Sequence, residues 1–320
     1  MKPSPRAPAG SLARLVERLS PGGRLVRMRR LRGGIGTRMH VLDIKNAEGA
    51  RRKVTLRRFV PGHHYATPEH VAQEFDILRL VRSAGIAAPE PLVLDAEGEL
   101  FGVPAMVLSY VPGGPLYAPR DERAWVEQLA GALLPLHAMT PNRFDLSSLE
   151  VRLADAIRDQ LCRRAETAGA HGALARDVHA VLTRNLDQID WAEPCLTHDD
   201  YWLGNTVWYR GRFAAIIDWT PAKVGDPRAD VAQCRIDLAI SHGRDVPDAF
   251  LEAYQRLAPR PLPDVWYFDL QRGLDGLLYY EQWLEGYQDF GLTHLTPTLA
   301  RRRLEAFLRR ALAEGARARS

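Results

Sequence analysis

The chain has 320 residues, of which 46% are hydrophobic and 26% charged. This composition excludes a disordered or fibrous protein, and it is enough for one large core or for two lobes that share a cleft. The apolar runs are too short to span a membrane, and the first residues lack the apolar segment of a secretory signal. Three isolated cysteines without metal-ligand spacing favour a reducing, cytoplasmic location.

The formal net charge is +4, but the charge is unevenly distributed along the chain. Basic residues exceed acidic ones in 1–111 and in 301–320, whereas acidic residues exceed basic ones in 112–300. An acidic region around a substrate favours a cationic or amine-bearing molecule through its long-range field. Carboxylates on helix surfaces explain the same imbalance equally well, so both interpretations stay open.

A glycine cluster at Gly33, Gly34 and Gly36 lies between two segments that favour strands. Glycines allow backbone amides to approach an anion closely, so this segment is a candidate phosphate-covering loop. An ordinary hairpin turn is the alternative interpretation.

The next predicted strand covers 54–59, where the residues alternate and begin with β-branched side chains. Successive side chains of a strand point to opposite faces, so we expect only one of Arg57 and Arg58 to point inwards. Arg57 is the preferred candidate for that inward position.

Apolar residues at helical spacing predict a helix over 68–81, with Thr67 as its N-cap. Glu74 lies in the middle of this helix and can form an ion pair with Arg57. The nearby His63, His64 and His70 lack the acidic or cysteine partners of a metal site, so we interpret them as loop residues.

A further strand is predicted over 104–111, and prolines and glycines in 112–115 break it. We interpret this break as the connector between an N-terminal lobe, 1–111, and a C-terminal lobe, 112–320. The second lobe is predicted to be mainly helical, with helices over 124–139, 149–168, 174–186, 246–257, 264–287 and 297–313.

The motif His198-x-Asp200-x-x-x-x-Asn205 is followed by Asp218 at the end of a short apolar run. Carboxylate and amide oxygens are the ligands that Mg²⁺ prefers, and a transferring phosphoryl group needs positioned charge of this kind. A turn at 210–212 predicts a hairpin with Asn205 and Asp218 at its two ends. The motif therefore indicates phosphoryl transfer, with Asp200 orienting or deprotonating the acceptor and His198 packed in a structural role.

These residues, together with Gly225-Asp226-Pro227 and Asp230, resemble the aminoglycoside phosphotransferase family, which is related to the choline and homoserine kinases. The resemblance implies an α+β, two-lobed protein-kinase-like fold and a magnesium-dependent small-molecule kinase. It also implies ATP or GTP as phosphoryl donor, with the base bound at the connector near Ser109, Tyr110 and Val111. The two lobes are then a small β-rich one and a larger, mainly helical one.

Two residues depart from the family pattern. Asp199 stands where the family usually has Gly, and Arg57 stands where a Lys is expected to bind the nucleotide phosphates. Arg also binds phosphate, as a rigid fork rather than as a point charge, so activity remains the expectation. The additional carboxylate of Asp199 can raise the pKa of Asp200, assist a metal or a cationic acceptor, or point into solvent.

Acceptor contacts are expected near the motif and on the helix over 264–287. The candidate residues are Asp199, Trp219, Asp226, Glu281 and Glu285. Only a few residues separate Asp218 from Gly225, which leaves no room for the long activation segment of a protein kinase and favours a small-molecule acceptor. The pattern does not indicate an oligomeric state.

Two other classes of function compete with this interpretation. The arginine-rich C-terminus is compatible with binding to nucleic acid, but apolar residues at helical spacing predict an amphipathic helix docked on the body. We therefore expect neither nucleic-acid nor membrane binding. A nucleotide-binding pseudoenzyme or regulator is the second alternative, which Asp199 and Arg57 favour and which retention of Asp200, Asn205 and Asp218 opposes.

Overall fold

The computed structural model describes residues 8–31, 36–243 and 245–319. The chain divides into two compact units. Unit 1 comprises Met1–Pro112 together with Ala214–Thr220, and unit 2 comprises Gly113–Phe213 and Pro221–Ser320. A sheet dominates unit 1 and helices dominate unit 2, so the predicted α+β fold class is confirmed.

Unit 1 is built on a five-stranded antiparallel sheet with the strand order β1-β2-β3-β5-β4. The strands are β1 (Arg24–Arg30), β2 (Thr37–Lys45), β3 (Arg51–Phe59), β4 (Pro91–Asp95) and β5 (Ala105–Ser109). Helix α1 (Ala9–Leu19) packs Leu12 and Leu15 into a core with Leu42, Leu56 and Val107 from one face of the sheet. The predicted strands over 54–59 and 104–111 are thus present as β3 and β5.

Arg57 and Arg58 are both buried, with 7% and 2% of their surface exposed, so the prediction that only one points inwards was wrong. β3 lies in the centre of the sheet between β2 and β5, and its C-terminal half is buried on both faces. Alternation still sends the two side chains to opposite faces, but at this end of the strand other parts of the chain cover each face.

Helix α2 (Pro68–Ser83) begins at the predicted N-cap. The hydroxyl of Thr67 accepts a hydrogen bond from the backbone N–H of His70, and Pro68 occupies the first helical position, where no N–H is needed. The apolar side of the helix is buried, together with Glu74 at 1% exposure.

Unit 2 contains seven helices among its described residues. They are α3 (Glu122–His137), α4 (Ala154–Ala170), α5 (Ala173–Asn185), α6 (Arg228–Ser241), α7 (Asp245–Leu257), α8 (Val265–Asp289) and α9 (Pro297–Ala318). Each corresponds to a predicted helix, except α6, which the sequence analysis did not assign. Apolar residues of α4, α5, α6, α8 and α9 form one core.

Short strands position the functional loop of unit 2. β7 (Cys195–Thr197) pairs antiparallel with β10 (Lys223–Gly225), which also pairs in parallel with β6 (Val151–Arg152). Downstream, β8 (Thr206–Tyr209) and β9 (Arg212–Ile216) form the predicted two-stranded hairpin.

The arginine-rich C-terminus forms the predicted amphipathic helix, α9. Its apolar side, which includes Leu304, Phe307 and Leu308, is buried. Not all of its arginines are solvated, because Arg303 donates to the carbonyl oxygens of Ile240 and Ser241. Within the described ranges, none of the helices is long and apolar enough to cross a membrane.

Candidate active site

Arg57 and three other side chains of unit 1 form a compact polar cluster. The guanidinium donates from Nη1 to Glu74 Oε1 at 2.5 Å and from Nη2 to Asp218 Oδ1 at 2.6 Å. The hydroxyl of Thr220 donates to Glu74 Oε2 at 2.7 Å and lies 3.2 Å from Asp218 Oδ1. The predicted pair of Arg57 and Glu74 is therefore present, and it includes Asp218 as a third member.

Burial sets the electrostatics of this cluster. Burial alone lowers the pKa of Arg57, but the carboxylates of Asp218 and Glu74 raise it by more than burial lowers it, so the net shift is upwards. Burial raises the pKa of Glu74, against the opposing effect of Arg57. The guanidinium therefore stays charged, and 41% of the Asp218 side chain remains exposed to meet a ligand.

The backbone of Asp218 is in the left-handed conformation, with φ of 65°. A non-glycine residue held in this region is uncommon, and such residues concentrate at functional sites. The turn is fixed by the ring of Trp219, which is fully buried and donates from Nε1 to the carbonyl oxygen of Ile216.

Gly36 is the one member of the predicted phosphate-covering loop that the structure describes, because Gly33 and Gly34 lie outside the described residues. A Cβ at Gly36 would lie 2.6 Å from Nδ1 of His63, so the backbone packs directly against that ring. His63 has its pKa lowered, first by burial, and it interacts electrostatically with Asp218 and Arg57.

The predicted base-binding residues are the last residue of β5, Ser109, and the two residues after it, Tyr110 and Val111. Ser109 is already engaged, since its backbone N–H donates to the carbonyl oxygen of Glu90 and its Oγ accepts from the N–H of Glu90. The N–H of Tyr110 lies 3.4 Å from the carbonyl oxygen of Lys53. The N–H groups of Ser109 and Tyr110 therefore both take part in hydrogen bonds within unit 1.

In unit 2, the predicted catalytic residue and its asparagine meet directly. Asn205 Nδ2 donates to the carboxylate Oδ2 of Asp200 at 2.8 Å and to the Asp200 carbonyl oxygen at 2.9 Å. A short 3₁₀ helix, Leu203–Asn205, brings the asparagine back towards the aspartate. Asp200 is half-buried, so its carboxylate is held in place and can still be approached.

Asp230, at the start of α6, fixes the backbone of the loop that carries Asp200. It is fully buried and accepts hydrogen bonds from the backbone N–H groups of His198, at 2.7 Å, and Asp199, at 2.8 Å. His137 Nε2 lies 3.2 Å from the same carboxylate, and its Nδ1 lies 2.7 Å from the hydroxyl of Tyr254. His198 is itself fully buried, in agreement with the packed role predicted for it.

Asp199 does not point into solvent. Its carboxylate accepts two hydrogen bonds from Arg152 Nη1, at 2.9 and 3.0 Å, and contacts Arg272, and Lys223 Nζ lies 3.9 Å away. Burial alone would raise the pKa of Asp199, but Arg272, Arg152 and Lys223 lower it below its ordinary value. The extra carboxylate is thus charged and fully engaged by three cations.

The other predicted acceptor residues separate into two groups. Asp226 is 2% exposed and accepts hydrogen bonds from the guanidinium of Arg228, so it is a structural support. Trp219 is completely buried and is a structural support as well. The burial of both side chains does not favour direct contact with an acceptor. Glu281 and Glu285 are exposed on α8, and Glu281 accepts a hydrogen bond from Tyr280.

Asn205 and Asp218 each offer an oxygen of the kind that Mg²⁺ prefers. In unit 2, Asn205 directs its NH₂ group to Asp200, so the amide oxygen is turned away and offers a neutral ligand. In unit 1, Asp218 offers a partly exposed carboxylate. No group of three His, Cys, Asp or Glu side chains suited to a metal occurs among residues 8–31, 36–243 and 245–319.

Several supporting residues have no signal in the sequence. Thr220, Arg152 and Arg272 each touch a predicted site residue, but they stand in no recognisable motif. Asp237 lies in α6 and accepts from the backbone N–H of Leu203 at 3.0 Å. Such partners depend on tertiary contacts between distant elements, which local spacing does not encode.

Comparison with known proteins identifies the family and the fold of the chain. Residues 28–268 match the model of the phosphotransferase enzyme family. Among solved structures, a thermostable mutant of aminoglycoside phosphotransferase APH(4)-Ia in complex with ADP and hygromycin B superimposes with a TM-score of 0.64 and 20% identity, covering 93% of this chain and 97% of that one. Macrolide 2'-phosphotransferase type I superimposes with a TM-score of 0.63 and 16% identity, covering 96% and 97%.

Curated relatives match over shorter regions. Hygromycin-B 4-O-kinase from Escherichia coli is 35% identical over 83 residues, which is 23% of this chain and 24% of that protein. Acyl-CoA dehydrogenase family member 10 from Mus musculus is 24% identical over 200 residues, which is 57% of this chain and 18% of that protein. The chain thus spans about a quarter or less of the length of these relatives.

Proposed function

Because the chain belongs to the phosphotransferase enzyme family, we propose that it transfers the terminal phosphoryl group of ATP or GTP to a hydroxyl group of a small molecule. The observation that carries this proposal is the contact between Asn205 and the carboxylate of Asp200 in a loop that Asp230 fixes. This arrangement gives a positioned base next to an amide ligand, which is what phosphoryl transfer to a hydroxyl requires.

In this proposal Asp200 binds the acceptor hydroxyl and takes its proton on the carboxylate as the oxygen attacks the terminal phosphorus. The bond from that phosphorus to the bridging oxygen breaks, and the nucleoside diphosphate leaves. Asn205 donates to Oδ2 of the same carboxylate and thereby fixes its orientation. The charges near Asp200 support this role. The carboxylate of Asp199 is paired with Arg152 and Arg272, so Asp200 has no unpaired negative charge from Asp199 beside it.

The donor side of the proposal rests on unit 1. Arg57 is held by Glu74 and Asp218, so its fork is pre-oriented to bind the nucleotide phosphates, with Gly36 contributing backbone close to them. Asn205 and Asp218 would hold Mg²⁺ through their amide and carboxylate oxygens. A bound magnesium ion supplies charge neutralisation on the phosphoryl oxygens.

The acceptor is proposed to be a small molecule, since β10 follows Asp218 after a short turn and leaves no space for a long activation segment. The exposed carboxylates of Glu281 and Glu285 are the candidates for binding an amine on the acceptor. We place the enzyme in the cytoplasm, because the thiols of all three cysteines are free. The retention of Asp200, Asn205 and Asp218 disfavours the pseudoenzyme alternative.

The test compares wild type with Asp200→Asn and Asp218→Ala. We expect magnesium-dependent thermal stabilisation by nucleotide in the wild type and in Asp200→Asn, and its loss in Asp218→Ala, because a ligand that binds only the folded state raises apparent stability. Transfer of labelled terminal phosphate to a panel of aminoglycosides, amino alcohols and hydroxy acids should fall by at least about 100-fold in Asp200→Asn.

Asp187→Asn is a suitable control, because that aspartate forms an exposed ion pair with Arg158 and belongs to neither site. Turnover by Asp200→Asn within a few-fold of wild type would remove Asp200 from its role. The absence of any nucleotide-dependent stabilisation at millimolar concentrations would favour the pseudoenzyme or another function.

A further inference from the structure

A pocket in unit 1 opens on the same face of the sheet as Arg57. Its lining consists of Arg27, Arg29, Val41, Asp43, Lys53 and Tyr110. Lys53 and Arg57 are four positions apart on β3 and therefore lie on one face, and the strand register places Asp43 opposite Lys53. Asp43 lies on β2, between β3 and β1, and the register with β1 places Arg27 opposite it.

The spacing along β3 matches the length of a nucleotide. Four residues of an extended strand span about 13 Å, which is comparable with the reach of a nucleoside triphosphate from its base to its terminal phosphates. This step rests on the proposed function, in which Arg57 binds the phosphates. The pocket then lies where the base must be, next to Tyr110 at the end of β5.

Asp43 lines this pocket and has an unsatisfied acceptor atom. Its Oδ2 lies 3.1 Å from Nη2 of the exposed Arg51, whereas its Oδ1 is buried and has no hydrogen-bond partner among the described residues. A buried carboxylate oxygen without a donor is unfavourable, and a ligand that brings an N–H group removes that cost.

The donor and acceptor pattern of the lining distinguishes the two purines. Guanine presents N1–H and the 2-amino group side by side, which suits a carboxylate, and its O6 is an acceptor that suits Arg or Lys. Adenine presents an acceptor at N1, which a carboxylate repels, and an amino group at position 6, which a cation repels. The pocket's described lining includes no Asn or Gln, the side chains that pair best with adenine.

The pocket also offers a flat surface for the base. Lys53 Nζ lies 5.8 Å from the centre of the Tyr110 ring, so the phenol and the ammonium border the same space. Stacking of a base on an aromatic ring stabilises binding without selecting the base. Selection therefore falls to Asp43 and the cations on either side of it.

We propose that this pocket binds the base of the phosphoryl donor and selects guanine, with Asp43 accepting from N1–H and the 2-amino group. Lys53 and Arg27, which flank Asp43 in the sheet, supply the donor to O6. Asp43 is thus the residue that determines the identity of the donor, GTP over ATP.

The first experiment uses the wild-type chain and three nucleotides, GTP, ATP and ITP, with magnesium. We expect GTP to bind at least about tenfold more tightly than ATP, with ITP in between because it lacks the 2-amino group. Binding is measured by thermal shift titration and by the competition of each nucleotide for phosphate transfer. ATP binding as tight as GTP, or ITP binding as tight as GTP, overturns the proposal without any need for a variant.

The second experiment changes Asp43→Asn. Xanthine carries an oxygen at position 2 in place of the amino group, so an amide side chain should pair with it where a carboxylate does not. We expect the variant to lose at least about tenfold in GTP affinity and to gain XTP binding. An unchanged ratio of GTP to XTP affinity contradicts the proposal.

Arg51→Met is the matched control, because it removes the exposed ion-pair partner of Asp43 and keeps the carboxylate. We expect it to retain the preference for GTP, and a switch of base preference in this variant would overturn the assignment to Asp43. Failure of every nucleotide to bind in the wild type contradicts the proposed function itself, whereas tight binding of ATP with normal transfer contradicts only the guanine assignment.

Discussion

Asp199 explains how the chain accommodates its departure from the family pattern. The residue has φ of 63°, a conformation that glycine adopts without a steric penalty and that aspartate tolerates better than most residues. The side chain is directed into Arg152 and Arg272, which belong to β6 and α8, so one carboxylate connects the catalytic loop to two other elements. Where the family usually has a glycine, this chain thus has an aspartate whose side chain is held by ion pairs.

Asp199→Gly should therefore destabilise the protein even though glycine suits the backbone. The change leaves two buried guanidinium groups without their carboxylate, and breaking a buried ion pair costs about 3–5 kcal/mol. The pKa of Asp199 is lowered in the folded chain, so its contribution is present above the unfolded pKa and is lost as the pH falls through the folded pKa.

Urea denaturation of the full chain at pH 7 and at pH 3 tests this expectation. The gap between wild type and Asp199→Gly should be large at pH 7 and smaller at pH 3. Asp187→Asn, which breaks the exposed pair with Arg158, is the control and should change stability far less, because water and salt screen an exposed ion pair. Equal losses for the buried and the exposed pair would contradict the assignment.

Helices α8 and α9 pack closely through glycines that local propensity does not explain. Gly273 lies in the interior of α8, where alanine is ordinarily the better helix former. A Cβ at this position would lie 2.1 Å from Cδ2 of Leu308, a side chain of α9 that is fully buried. Close packing of the two helices therefore requires a residue without a side chain.

Gly273→Ala should lower stability by about 1–3 kcal/mol, because a methyl group is forced into a packed contact that cannot open to solvent. Gly131→Ala in α3 is the matched control, since its nearest atom, Cδ1 of Leu257, lies 3.9 Å from the new Cβ. That control should gain about 0.5–1 kcal/mol from helix propensity. Chemical denaturation measures the free energy of unfolding of both variants. A Gly273→Ala variant that is more stable than wild type would contradict the prediction and show that the two helices separate easily.

The elements that the sequence predicted best have local signals. The N-cap of α2, the hairpin of β8 and β9, and the helices of unit 2 follow from capping residues, a turn and apolar spacing. Arg58 shows where local reasoning fails, because alternation in one strand does not reveal that both faces of the sheet are covered. Thr220 and Arg272 were missed for a related reason, since their partners are far away in the chain.

The division of the whole chain was also only partly accessible from the sequence. A break in composition indicates the connector after β5, but nothing local indicates that Ala214–Thr220 belongs with unit 1. That return segment carries Asp218 and Thr220 to Arg57 and Glu74. The Asp200 to Asn205 contact, by contrast, lies within six residues, and its motif was therefore readable.

Asp237 provides a test of how the whole molecule responds to pH. The residue is buried beneath the catalytic loop, where it accepts from the N–H of Leu203 and interacts with the hydroxyl of Tyr287. Burial raises its pKa from 3.8 to about 6, against the opposing effect of these hydrogen bonds. The folded chain therefore keeps a proton on Asp237 at a pH where the unfolded chain has already released it.

Stability should consequently fall as the pH rises from about 4 to about 6 and then level off, with a loss from this group on the order of 3 kcal/mol. Asp237→Asn keeps an oxygen for Leu203 and has no proton to lose, so its stability should vary less over this range and should exceed that of wild type above pH 6. Urea denaturation of both chains from pH 4 to pH 7.5 measures the difference. Parallel curves for the two chains would show that Asp237 is already ionised in the folded protein, because only a group that binds protons differently in the folded and unfolded states makes stability depend on pH.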